Sequence, residues 1–135
     1  MDPAKSPLER GDFLVRNLMG VDPGTGAVAI AETARVGQTI QFQLRDAQAS
    51  REDLLAALDS LRARLAGRRV VFGCYFNCAG RGRGLYGEPD HDVTAIREAL
   101  GAFPLVGFFG NGEIAPVGRR SFFHNYTGAL LLIPE

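Results

Sequence analysis

The residues best equipped for chemistry lie in two glycine-containing stretches, "CAGRGRGLYG" from Cys78 to Gly87 and "GNGEIAP" from Gly110 to Pro116, and in "FHNYT" close behind. Arg81 and Arg83 ride on a ribbon that Gly80, Gly82 and Gly84 keep thin. A guanidinium fork suits bidentate recognition of a carboxylate or phosphate. Gly110, Asn111 and Gly112 form a turn that presents Glu113, a carboxylate that could take an ammonium, with Asp90 or Asp92 as neighbours. Phe108, Phe109, Tyr75 or Tyr86 could supply an apolar wall. Such a set fits a small zwitterion such as an amino acid. Cys78, His124 and Glu113 also form a conceivable thiol–imidazole–carboxylate set, because a thiolate needs a base and the base an orienting group. The plainer expectations are a small buried cysteine and a His124 hydrogen-bonded at the start of a strand. Asn125 and Thr127 are expected to tie their turn through side-chain to backbone bonds. Ligand binding without catalysis is the expectation; a cysteine-dependent enzyme and a ligand-free docking or oligomerisation module are the alternatives.

Gly82, Gly84 and Gly87 spell G-x-G-x-x-G after an apolar run, the pattern of a dinucleotide turn. The geometry argues otherwise. A pyrophosphate site needs a helix opening directly from the glycines, whereas Glu88, Pro89, Asp90 and Asp92 intervene here and would repel it. No acidic residue follows near Gly101 to Phe103 to hold a ribose. Cys74, Cys78, His91, His124 and Glu113 are metal-ligand types without metal-site spacing, so neither cofactor nor metal is expected.

These residues need a scaffold. "FLVRNL" and "AVAIAE" read as strands around the turn cluster "VDPGTG". "QTIQFQLR" alternates Ile40, Phe42 and Leu44 against Gln41, Gln43 and Arg45, the pattern of a half-buried antiparallel strand. A helix starts at a capping-box-like Ser50–Asp53 pair, and Leu54, Leu58, Leu61 and Leu65 form its stripe. Gly67, Arg68 and Arg69 suit its end. "VVFGCYF" reads as a strand covered on both faces. A second helix runs from about His91 to Leu100 behind Asp90, with Val93, Ile96 and Leu100 inward, and ends at Gly101. "LVGFF" and "GALLLI" complete a set of buried strands. The expected fold is α/β or α+β, one domain on a mixed sheet in the order β-β-β-α-β-α-β-β. Long loops at 77–89 and 110–121 carry the candidate residues. If the strands before them are parallel neighbours, Arg81, Arg83 and Glu113 converge past their carboxyl ends.

Composition limits the rest. The chain has 135 residues, enough for one domain, with 46% hydrophobic and 22% charged residues. Fifteen basic and fifteen acidic side chains cancel, so neither nucleic acid nor a membrane surface is indicated as a partner. The longest apolar run, "GALLLIP", is strand-sized. Two cysteines, four residues apart on one strand, are too distant to bond to each other, and the cytoplasm is the expected compartment. Residues 1–11, with two prolines and mixed charge, are expected to be a linker or loose terminus ahead of a domain over 12–135.

Taken in order, "FLVRNLMGVD", "VGQTIQFQLRDA", "CAGRG", "GFFGNGEIAP" and "FHNYTGALLL" resemble the C-terminal domain of FIST proteins, the F-box and intracellular signal-transduction sensory family. The likeness runs from Phe13 to Ile133, and "GFFGNGEIAP" followed by "FHNYTG" is its most specific part. It implies a sensory module for small ligands, amino acids among them, that follows a FIST N-terminal domain in bacterial signalling proteins or F-box proteins. That domain or a signalling partner, and a second copy of the chain, are the partners it suggests. The positions it matches are Cys78, Gly80 and Arg81; Gly110, Gly112, Glu113 and Pro116; and His124, Asn125 and Thr127, with no catalytic role attached. The lack of an F-box-like helical pattern before Gly11 argues against a ubiquitin-ligase subtype.

Overall fold

The computed structural model describes residues 13–135. The expected linker over 1–11 lies outside the described residues.

Three strands and two helices build the core. β3 (Val70–Cys78) is central, with β4 (Leu105–Gly110) parallel on one side and β7 (Gly128–Pro134) antiparallel on the other. Helices α1 (Ala47–Leu65) and α3 (His91–Leu100) pack against one face of this mixed sheet, where Leu58, Tyr75 and Ile96 form the buried cluster. Leu54, Ala99, Leu100, Phe103 and Leu130 pack around it. The stripe on α1 and the inward Ile96 of α3 therefore do what their spacing requires. The β3–β4 pairing is parallel, which meets the condition set above for their loops to converge, and the fold is a single small α+β domain.

The sheet carries helices on one face only. Alternation sends Tyr75, Leu130 and Gly128 toward the helices and Cys74, Phe76, Val106, Phe108 and Leu131 to the other side. Phe108 is 65% exposed and Leu131 55%. The expectation of strands buried on both faces is thus corrected, because no second layer among the described residues covers the far side.

Three further elements differ from expectation. β1 occupies Leu18–Asp22, displaced toward the turn from the expected "FLVRNL", and pairs with β2 (Ala27–Ile30) as a separate ribbon. Asp22 organises the turn by accepting from Gly24 N at 2.9 Å and Thr25 Oγ1 at 2.7 Å. The expected strand over Gln38–Arg45 does not form. Phe42 is 73% and Leu44 95% exposed, with no ladder partner; alternation prepares a strand, and a strand needs a neighbour to bond to. The loop after β4 is instead a hairpin, β5 (Glu113–Val117) with β6 (Arg120–His124), pairing Glu113 opposite His124.

Helix ends follow local chemistry. α1 begins at Ala47, three residues ahead of Ser50, because Asp46 is its N-cap and accepts from Ala49 N at 2.7 Å. Its C-terminal Leu65 carbonyl accepts from both the backbone and the Nε of Arg68. α3 starts behind Asp90, which sits in the left-handed region at φ 56°, and ends at Gly101. Among the described residues, no helix is long and apolar enough to cross a membrane.

Candidate functional site

The glycine-rich stretch folds into two short turns of helix: a 3-10 turn over Ala79–Arg81 and α2 over Arg83–Tyr86, closed by Gly87. The 3-10 turn rotates Arg81 back under the sheet end, where it is buried beside Asp92 in the first turn of α3. Asp92 Oδ2 accepts from Tyr75 Oη at 2.8 Å, Asn77 Nδ2 at 3.0 Å and Arg81 Nε at 3.1 Å. Its Oδ1 lies 2.9 Å from His91 Nδ1. Arg81 also donates from Nη1 to Ser50 Oγ at 2.7 Å and from Nη2 to Tyr86 Oη at 2.8 Å. The network thus joins β3, both helices and the intervening turns.

Its protonation states follow from the donors. Arg51 Nε donates to His91 Nε2 at 2.9 Å, so that nitrogen is an acceptor and Nδ1 carries the proton given to Asp92. Burial alone would raise the Asp92 pKa, yet the His91 hydrogen bond, the Arg81 charge and the Tyr75 hydroxyl together hold it below its ordinary value. Burial opposes the charge on Arg81, but the Asp92 carboxylate, together with the hydroxyls of Tyr75 and Tyr86, outweighs it, so the guanidinium pKa is raised. Burial and the adjacent carboxylate push the Tyr75 hydroxyl up. Tyr75 is therefore a donor, and Asp92 an acceptor, across the physiological range.

A crevice of about 240 Å³ opens beside this network at the carboxyl end of the β3–β4 pair. Arg81, Asn77, Tyr75 and Asp92 line it with the β4 edge from Leu105 to Phe109, while Tyr86, Glu88, Asp90, His91 and Arg97 supply further lining. Tyr86 stacks on the His91 ring at 3.8 Å between centroids. Asn77, only 5% exposed, contributes an unusual group. Its Nδ2 must face the acceptor-only Asp92, which leaves Oδ1 buried without a hydrogen-bond partner.

Glu113 belongs to a different group. Its Oε2 accepts from Thr127 Oγ1 at 2.9 Å and from Thr127 N at 3.4 Å, while its buried Oε1 has no partner. Glu113 does not line the crevice, and no hydrogen bond or ion pair joins it to Arg81 among the described residues. Gly110, Asn111 and Gly112 lead into this second group; Gly112 backs onto the ring of Phe123. Gly80 offers its carbonyl to Arg45 Nη1 at 3.0 Å and sits against Tyr126. Arg83 is exposed on α2.

The thiol–imidazole–carboxylate set is not joined either. His124 Nε2 lies 3.0 Å from the Ala115 carbonyl and so carries a proton. Glu113 is bonded to Thr127, and neither it nor His124 is hydrogen-bonded to Cys78 among the described residues. Cys78 is a buried free cysteine, and Asn125, next to His124 in sequence, is also buried. Thr127 does bond, to a side chain where a backbone partner was expected. No group of three or more metal-ligating side chains occurs among the described residues.

Arg81, expected on an exposed ribbon, is instead buried after the 3-10 turn that follows β3; Tyr75 and Tyr86, expected as apolar walls, bond through their hydroxyls, and Asn77, Ser50 and Arg97 were not among the expected site residues. A signal was available for Asn77. Tyr75 and Asn77 stand two apart on an apolar strand, hence on one face, and two polar groups pointing into a core require a polar partner.

Comparison with known proteins adds the following. A model of the FIST C domain matches residues 3–116. An uncharacterized protein of Mycobacterium tuberculosis is 47% identical over 126 residues, covering 93% of this chain and 33% of the relative. A second, from Mycobacterium bovis, is 45% identical over 126 residues, 93% of this chain and 32% of the relative. Human F-box only protein 22 is 27% identical over 134 residues, 87% of this chain and 33% of that protein. The chain spans about a third of the length of the curated relatives it matches.

Proposed function

The chain belongs to the FIST C domain family, and from that premise we propose that it is a cytoplasmic sensory module that binds an amino acid or similar zwitterion in the crevice beside Arg81 and Asp92. The observation that carries this reading is the unpartnered Oδ1 of Asn77. A buried acceptor without a donor costs about 1–3 kcal/mol, and a ligand ammonium that displaces the crevice wall beside Asn77 would supply that donor. Arg81 has five N–H groups and gives three of them to Asp92, Ser50 and Tyr86. The remainder, with Arg97 on the crevice wall, suit a ligand carboxylate. Glu88 and Asp90 add negative charge for the ammonium, and the β4 edge and Tyr86 give apolar walls.

This revises the partner of Arg81. Acidic groups before α3 replace Glu113 as the ammonium side, and Arg97 replaces Arg83 on the carboxylate side. Signal output fits the same geometry, since a ligand engaging Arg81 would touch a network that ties α1 to α3 through Ser50 and Arg51. Calorimetric titration with the free amino acids tests the proposal. Binding of at least one at millimolar concentration or below is expected. Arg97→Ala should weaken it by about tenfold to a hundredfold, the worth of one charge-assisted hydrogen bond. Silence from every amino acid would contradict it.

A further inference from the structure

Among the described residues, two apolar surfaces of this chain lack a cover. One is the helix-free face of the sheet, where Phe76, Val106, Phe108, Leu131 and Ile133 are all more than a third exposed. Phe76 and Phe108 meet edge to face at 5.2 Å and form a preassembled aromatic ridge there. β3, β4 and β7 contain no charged residue at all. The other is the unpaired segment 38–45, whose Ile40, Phe42 and Leu44 stand out on alternate positions with no strand beside them.

We propose that the bare sheet face and the segment 38–45 are the two halves of a self-association surface, with the segment of one copy lying against the sheet face of a second copy. The surfaces match in kind: an apolar, charge-free face meets a ribbon that carries apolar side chains on one edge only. Within one molecule they are kept apart. Arg45 is tied to the Gly80 carbonyl at 3.0 Å and leads directly into α1, which lies on the covered side of the sheet. The area suffices. Taking side chains of roughly 150–250 Å² for the aromatic members, the eight residues expose on the order of 900 Å², against roughly 800 Å² per partner in a standard interface. Fifteen positive and fifteen negative side chains leave no net repulsion between copies. Reciprocal exchange under two-fold symmetry closes the assembly as a dimer. Val106 and Phe108 also line the crevice, so the surface borders it, but the inference does not need a ligand.

Light scattering on the full chain, across low to high micromolar concentration, tests it. The expected mass is twice that of the monomer at the upper end. The double variant Phe42→Asp/Leu44→Asp, altered only in exposed side chains and checked for folding by circular dichroism, should be monomeric. So should Phe108→Asp/Leu131→Asp. Mixing the two should restore a weaker dimer, because one intact segment meets one intact face. A wild type that stays monomeric throughout overturns the proposal, as does a dimer that ignores the segment variant. A monomer that instead captures the remaining two thirds of the mycobacterial relative overturns it in favour of that partner.

Discussion

Asp92 and Arg81 show what a buried ion pair requires. Both are almost wholly enclosed, and removing one partner strands the other charge where water cannot reach it. Asp92→Asn keeps the shape and removes the charge. It should cost about 3–5 kcal/mol in urea unfolding, while exposed Arg83→Ala should leave stability within about 0.5 kcal/mol. The pH dependence has a definite sign. Asp92 is held below its ordinary pKa in the folded state, so its contribution is complete above the unfolded value of about 3.9 and fades as pH falls through the lower folded value. Unfolding midpoints measured downward from neutral pH should drop more steeply below about 4 in the wild type than in Asp92→Asn. At this scale the sequence spoke for Arg81, which sits in a loop rich in glycine. It was silent on the pairing with Asp92, because that depends on the 3-10 turn folding Arg81 back toward the first turn of α3.

Elements whose signals are local were legible, and those that depend on a neighbour were not. α1 carries its own stripe, cap and C-terminal arginine, so it could be placed to within three residues. β3 and β4 were recognisable as strands, but whether both faces are covered is a property of the rest of the molecule. Gln38–Arg45 fails for the same reason: alternation records a preference for a half-buried ladder, and none of the described residues pairs with it. The β5–β6 hairpin was hidden by Pro116 and the polar "VGRR" turn, which read as loop. Close approach is equally nonlocal. A Cβ on Gly128 would meet the Tyr75 hydroxyl, and one on Gly107 the Tyr75 carbonyl. Gly128→Ala should therefore displace Tyr75 from Asp92 and cost about 1–3 kcal/mol by thermal unfolding, with loss of the Tyr75 hydroxyl's protected environment visible in its fluorescence.

At the scale of the molecule, the helix-covered side of the sheet holds the polar network, the other side is apolar, and the crevice opens beside that network along the β4 edge. Ligand sites of open α/β sheets sit at the carboxyl end of the strands because loops from neighbouring strands diverge there. What the proposal requires is that this crevice, and not the Glu113–Thr127 group, receives the ligand. A ¹H–¹⁵N correlation spectrum titrated with free amino acids tests it most directly. Amide shifts concentrated in residues 81–92 and 105–109, and displaced to about tenfold to a hundredfold higher ligand concentration in Arg97→Ala, are the predicted result. Shifts confined to residues 111–127, or none for any amino acid, would contradict it.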